Sequence, residues 1–187
     1  MEPEFVKNDR ILVEKPSYWA SGPSRGDIVV FADPGGWLDS GDTPPATGLK
    51  RVLEVVGLYP AGGHLVKRVI GVGGDRVKCC DEQGRVTVNG TPLDESSYLP
   101  KGTVPSLTDF DVKVPQGRLW VMGDNRGDSA DSRFHMGDPG GGFVPDDDVV
   151  GKVFALVWPW DHAGFIHRPS TFRAVPDAGS AATSGAR

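Results

Sequence analysis

A chain of 187 residues and 19.9 kDa is long enough for one domain with a core of its own. Its 38% hydrophobic and 24% charged residues, with 5 Trp and 8 Phe, exclude global disorder. The net charge of −5, with Lys and Arg scattered and no basic run, argues against a nucleic-acid partner, because neutralising phosphates takes a clustered positive face. The 26 Gly and 16 Pro favour many turns, and so β structure, over long helices. The longest apolar stretch, Phe154 to Trp160, falls far short of the roughly 18 residues that span a bilayer, so the sequence as it stands predicts neither a transmembrane helix nor a signal peptide.

In chain order, Arg10 to Lys15 alternates apolar and polar residues and predicts a strand, and Ile28 to Phe31 is a continuous β-branched run after Gly26-Asp27. Residues 32–63 predict an insertion or lid: a loop rich in Gly and Pro, then Leu49, Val52, Leu53 and Val56 at helical spacing. Strands follow at Leu65 to Ile70 and, after a Gly-Gly turn, at Arg76 to Lys78. Arg85 to Val88, Asn89-Gly90 and Thr91 to Leu93 predict a tight hairpin. Leu119 to Met122 and Val149 to Trp158 complete the strands, and the set predicts an antiparallel sandwich or barrel. The domain is expected to span residues 1–175, with a disordered tail over 176–187.

The two cysteines, Cys79 and Cys80, are adjacent, without the spacing of a zinc or redox motif. Two thiols on opposite faces of a strand are expected in preference to a vicinal disulfide. Asp146-Asp147-Asp148 is expected to be a solvated turn.

The most unusual string is Gly123 to Arg133, eleven residues with three Asp, two Arg and two Ser, directly after an apolar strand. It lacks the ligand spacing of a calcium loop, because Arg126 and Ala130 stand where ligands are needed. By itself it reads as a loop held by its own Asp–Arg pairs. The second feature is the adjacent cations Lys67 and Arg68 in an alternating strand, one of which must point to an apolar face. Were that one Lys67, desolvation would lower its pKa from the ordinary value of about 10.4 and make it a usable general base.

Taken in order, Met1-Glu-Pro, Asp9-Arg-Ile-Leu-Val, Gly26-Asp-Ile-Val-Val-Phe31, Lys67-Arg-Val-Ile-Gly-Val-Gly-Gly-Asp75, Val88-Asn-Gly90, and Gly123-Asp-Asn-Arg with Ser129-Ala-Asp-Ser-Arg133 resemble the sequence boxes of type I signal peptidases. The resemblance covers residues 1–158, and its last box is highly specific. It implies a mainly β fold of the signal-peptidase type. It also implies a membrane-bound serine endopeptidase with a Ser–Lys dyad that removes signal peptides from exported preproteins after small residues, on the extracytoplasmic face of the cell membrane. No cofactor or metal is implied.

On that resemblance Lys67 corresponds to the general base and Arg68 follows it as in the family. Ser129 matches the serine that orients the lysine amine, and Asp131 and Arg133 match a supporting ion pair. A hydroxyl can aim a neutral amine without raising its pKa as a carboxylate would, so Asp131 is expected to face Arg133 and not Lys67. Met1 and Val66, next to the two catalytic positions, are candidates for the pockets that select small residues. The substrate is expected to bind extended along a strand edge. Leu49 to Tyr59 with Trp19 and Trp37 is expected either to form an apolar rim on the bilayer or to pack on the sheet.

The chain departs from the family at its start. The nucleophilic serine directly precedes the Met of the first box, which here is Met1, and Glu4 stands where Thr is usual. The expectation is an N-terminally truncated form, inactive as it stands, whose upstream residues carry the serine, the oxyanion donors and a membrane anchor. The alternative is a catalytically inactive signal-peptide-binding or structural module of the same fold. A self-cleaving Ser–Lys regulator is disfavoured, because no helix-turn-helix segment or internal cleavage linker is visible.

Overall fold

The computed structural model describes residues 1, 9–15, 22–38 and 63–178. Its strands, in chain order, are β1 (Arg10–Glu14), β2 (Ile28–Ala32), β3 (His64–Val72), β4 (Arg76–Cys79), β5 (Thr87–Val88), β6 (Thr91–Pro92), β7 (Phe110–Lys113), β8 (Arg118–Met122), β9 (Val144–Pro145), β10 (Val149–Trp158) and β11 (Gly164–Phe165). They form two antiparallel sheets. One runs β1-β10-β2-β3-β8-β9 with β11 added to β10, and the other runs β6-β5-β4-β7. Both sheets are open, so the sandwich half of the expected architecture holds and the barrel half does not: the large sheet ends in the two-residue strand β9, which is paired to β8 and not back to β1.

The central strands are apolar on both faces because both faces are covered. From β8, Trp120 and Met122 join Ile70 of β3 in a cluster with Val77, Val86, Val88, Leu93, Phe110 and Val114 of the small-sheet layer. From the opposite face of the same strands, Leu119, Val121 and Val69 pack with Val29, Phe31 and Trp37. A third cluster, Ile28, Val30 and Val153, gathers Met1, Ile11 and Val66 around it. The hairpin at Asn89-Gly90 forms as its dipeptide predicts, with φ of 52° and 80°, the left-handed pair that a two-residue loop between twisted strands requires.

Long-range ion pairs tie the turns to this frame. Asp27, buried, accepts from Lys152 of β10 at 3.0 Å and from Arg168 at 2.9 Å. Arg25 forks onto Asp75 at 2.6 and 2.7 Å, and Asp75 also accepts from the Asn89 amide at 2.8 Å. The segment after β11 returns to the core: a 3-10 turn at Ser170–Ala174 inserts Phe172, Val175 follows it, and the Pro176 carbonyl accepts from Asn89 at 2.9 Å. Residues 179–187 of the expected tail lie outside the described residues, as do the expected helix over 49–56, Trp19 and Glu4.

Strands β7, β9 and β11 are absent from the sequence expectation. They are two to four residues long: Phe110–Lys113 alternates for only four residues, and the other two are too short to show a period. Of the two expectations for Trp37, a bilayer rim or packing on the sheet, the structure shows the second: it is buried against Phe31 and stacks on His135 with ring centroids 4.4 Å apart. The Asp33 carboxylate holds it there by accepting from the Trp37 and Gly35 N–H groups. The cysteines differ from expectation too. Strand β4 ends at Cys79, so Cys80 has no opposite strand face to occupy, and the two sulfurs are bonded to each other.

Because Phe172 fills the layer between the sheets, replacing it with Ala is expected to destabilise the domain by about 3 kcal/mol, measured by denaturant unfolding. An unchanged midpoint would show that the C-terminal segment is merely laid on the surface.

Candidate active site

Strand β3 carries the two cations, and its neighbours decide where each points. Lys67 lies opposite Val29 of β2, and Arg68 lies between Ile28 of β2 and Met122 of β8. Strand β8 stops at Met122, and Gly123 turns the chain away. Beyond that point, His64 to Lys67 of β3 have no partner on the β8 side among the described residues, which leaves an open strand edge.

The turn brings Ser129 back to β3, and Lys67 Nζ donates to Ser129 Oγ at 2.9 Å. Gly123 makes this possible. A Cβ there would stand 2.7 Å from Ser129 Cβ and 3.7 Å from Lys67 Nζ, with the Ser129 hydroxyl closer still. Its N–H donates to Asp131 Oδ2 at 2.9 Å, and its carbonyl accepts from Arg126 Nε at 3.1 Å. The Ser132 hydroxyl accepts from the Val121 N–H at 2.9 Å and pins the returning chain to β8.

Burial pushes the Lys67 amine below the ordinary lysine range; the Arg133 charge works in the same direction, while Asp131 and Asp128 oppose it. Asp131 gives its carboxylate to Arg133, at 2.9 Å from Nε and 2.7 Å from Nη2, and to the N–H groups of Gly123 and Arg133. Burial alone would raise the Asp131 pKa. The Arg133 hydrogen bonds and charge, with the Gly123 N–H, hold it below the usual carboxylate value.

One of the two adjacent cations is fully buried, as the alternation requires, and it is Arg68, at 1% exposure. It forks onto Asp124 at 2.7 and 2.9 Å, donates to the Gly26 carbonyl at 3.1 Å, and lies 4.4 Å above the Tyr98 ring. A buried guanidinium is tolerated there because its donors are met by a carboxylate and a carbonyl. Lys67 is half-buried at the edge of the same strand.

The structure thus gathers Lys67, Ser129, Asp131 and Arg133 within one turn, with Arg68 behind them. Met1 and Val66 meet in the third apolar cluster. By strand alternation Val66 sits on the face of β3 opposite Lys67, so the two candidate pocket residues lie across the open edge from the amine. Sequence reasoning assigned no part to Gly123, Glu95 or Tyr98, and it expected Asp124 and Arg126 to pair within their loop, whereas their partners Arg68 and Glu95 come from outside it. A glycine after an apolar strand was the one available signal for the first. Glu95 and Tyr98 lie in a polar turn that reads as solvated.

The family model described as signal peptidase, peptidase S26, matches residues 1–158. A probable signal peptidase I of Mycobacterium leprae is 40% identical over 85% of this chain and 65% of its own length. The signal peptidase I of Mycobacterium tuberculosis is 40% identical over 84% of this chain and 60% of its own. A crystal structure of a signal peptidase I from Enterococcus faecalis V583 is 26% identical, covering 75% of this chain and 98% of that one, with a TM-score of 0.44. The chain therefore spans about 60–65% of the length of the mycobacterial relatives that it matches.

Gly123→Ala tests the packing. The added methyl is expected to drive Ser129 Oγ out of hydrogen-bond reach of Lys67 in a crystal structure, and to lower stability by about 1–3 kcal/mol in denaturant unfolding. A variant of unchanged stability that keeps the contact would mean the turn has room to spare.

Proposed function

Because the chain belongs to the signal peptidase S26 family, we propose that it is the catalytic β domain of a signal peptidase I that cuts signal peptides from exported preproteins after small residues, with Lys67 as general base. The observation that carries the proposal is the 2.9 Å contact of a half-buried Lys67 amine with the Ser129 hydroxyl, beside an open strand edge. In this reading the nucleophile is the serine that the family motif places directly before the Met of its first box.

An extended preprotein segment adds to β3 along His64 to Lys67, its main chain pairing with the free edge. Its side chains alternate across that edge, and those on the Val66 side meet the apolar wall of Met1 and Val66, which favours small apolar residues. Lys67, whose charge burial disfavours, acts in its unprotonated form: it donates one N–H to Ser129 and keeps its lone pair for the nucleophile. It takes the serine proton as the serine oxygen attacks the substrate carbonyl carbon. The resulting ammonium returns that proton to the leaving amine as the peptide bond breaks. Water then releases the acyl group by the same base in reverse order. Asp131 stays with Arg133, where it does not hold Lys67 in its charged form.

The apolar surface offered to a bilayer is an aromatic group at the end of β10. Trp160 and Phe165 are 77% and 74% exposed, and Trp158 packs edge-on against Trp160 with centroids 6.1 Å apart. Rings at a polar–apolar boundary suit the headgroup region, and they rest the domain on the extracytoplasmic face. Among the described residues no helix is long and apolar enough to cross a membrane.

Cleavage of a signal-peptide substrate by the protein extended to carry Ser before Met1, in detergent micelles, tests the chemistry. Lys67→Ala is expected to reduce kcat/KM by at least about 10²–10⁴-fold. For the parent, kcat/KM should climb with pH through the lowered Lys67 pKa, since only the unprotonated amine is the base. Activity that survives loss of Lys67 sinks the assigned base, and an extended protein that never cleaves favours the inactive module. For the rim, Trp160→Ala with Phe165→Ala should weaken binding to anionic lipid vesicles in a sedimentation assay, and equal binding would remove these rings from the membrane contact.

A further inference from the structure

The Gly123 turn has almost no apolar side chain to anchor it, yet it must hold Ser129 against Lys67 within a few tenths of an ångström. Its anchor is Arg126, whose side chain is 1% exposed. The guanidinium donates through Nε to the Gly123 carbonyl at 3.1 Å and through Nη1 to the Pro105 carbonyl at 2.8 Å. Both Nη1 and Nη2 also fork onto the carboxylate of Glu95, itself buried. The Tyr98 hydroxyl donates to the same carboxylate at 2.6 Å, and the Tyr98 ring lies under Arg68, which grips Asp124, the residue next to Gly123. Glu95 and Tyr98 come from the loop between β6 and β7, in the small-sheet layer. They are therefore supplied to the turn from outside the sheet that carries Lys67.

We propose that Glu95, assisted by Tyr98, is a positioning residue for the Lys67–Ser129 contact, locking the Gly123 turn from the small-sheet side. The inference rests on the reading of Lys67 as the base. Without the Glu95 charge, Arg126 is a buried cation with no carboxylate, and it must leave for water, releasing the Gly123 carbonyl. Gly123 is the surface on which the Ser129 hydroxyl and the Lys67 amine meet, so a shift there opens the amine to water. The charged groups that act on Lys67 are Asp131, Arg133 and Asp128, all of the turn and its continuation. The Glu95 charge is spent on Arg126, so its proposed route to Lys67 is through the position of the turn.

The test follows the Lys67 Nζ titration by NMR on the 187-residue chain labelled with 15N-lysine, which needs no peptidase activity. Glu95→Gln is expected to raise the Lys67 midpoint toward the ordinary lysine value, because a loosened turn relieves desolvation. Tyr98→Phe, which keeps the ion pair, should move it the same way by less. Val88→Ala, a cavity in the apolar cluster that also holds the Tyr98 ring but at a residue outside the hydrogen-bonded network, should lower stability and leave the midpoint in place. In the serine-bearing protein, Glu95→Gln should cost roughly 10–100-fold in kcat with little change in KM, and move the acid limb of the pH profile to higher pH. A folded Glu95→Gln variant with an unmoved midpoint overturns the proposal, as does Val88→Ala shifting it equally. Should Glu95→Gln not fold, an unmoved midpoint in Tyr98→Phe overturns it. A protein that shows the NMR shift but cleaves nothing refutes the peptidase reading and leaves the positioning role standing.

Discussion

A lysine amine kept partly out of water, 2.9 Å from a serine hydroxyl and with no carboxylate committed to it, is the constraint around which this domain is arranged. Burial penalises its charge, and any carboxylate placed against it would restore that charge. The fold meets both conditions by giving each buried carboxylate around the turn its own arginine and leaving Asp128 exposed to water. Asp131 has Arg133, Asp124 has Arg68, and Glu95 has Arg126. The buried acidic and basic residues of the loop from Gly123 to Arg133 are thereby paired off, and the amine is left to a hydroxyl.

These pairs carry structural weight because the loop has so little apolar surface. Hydrophobic burial holds β3 and β8 in place, with Val69, Ile70, Trp120 and Val121 at 0% exposure. It stops at Met122. From Gly123 onward, order depends on charge-assisted hydrogen bonds in a setting where an unpaired partner costs several kcal/mol. The small sheet then has a use beyond packing, since its loops supply the carboxylate and the aromatic ring that close the network around Arg126 and Arg68. The C-terminal segment past residue 158, outside the matched family region, braces the same layer through Phe172 and holds Asp27 through Arg168.

The place where β8 ends is equally consequential. Because β8 turns off at Met122 while β3 runs on toward His64, the amine sits next to main chain that has no β8-side partner among the described residues, which is where the proposed function puts an extended substrate. Val66 and Lys67, adjacent in sequence, face opposite sides of that edge. In the proposed function this division lets one strand supply both a wall for substrate side chains and the base itself.

Much of this was legible in the residues. Alternation and β-branched runs located β1, β2, β3, β4, β8 and β10, and Asn89-Gly90 located the hairpin, because these are local consequences of backbone sterics and of burying one face. The motif resemblance named Lys67, Ser129, Asp131 and Arg133. The chemistry of carboxylates and hydroxyls was enough to expect Asp131 to turn to Arg133. Tertiary structure alone decided that Arg68 is the buried cation, that Trp37 packs on His135 instead of facing a bilayer, and that Glu95, in a turn that reads as solvated, is buried beneath Arg126. Each of these depends on which distant segment covers a residue. Partners separated by 31 or 56 positions leave no periodic trace in the chain, because burial and ion pairing are set by the packing of one layer on another and not by local spacing.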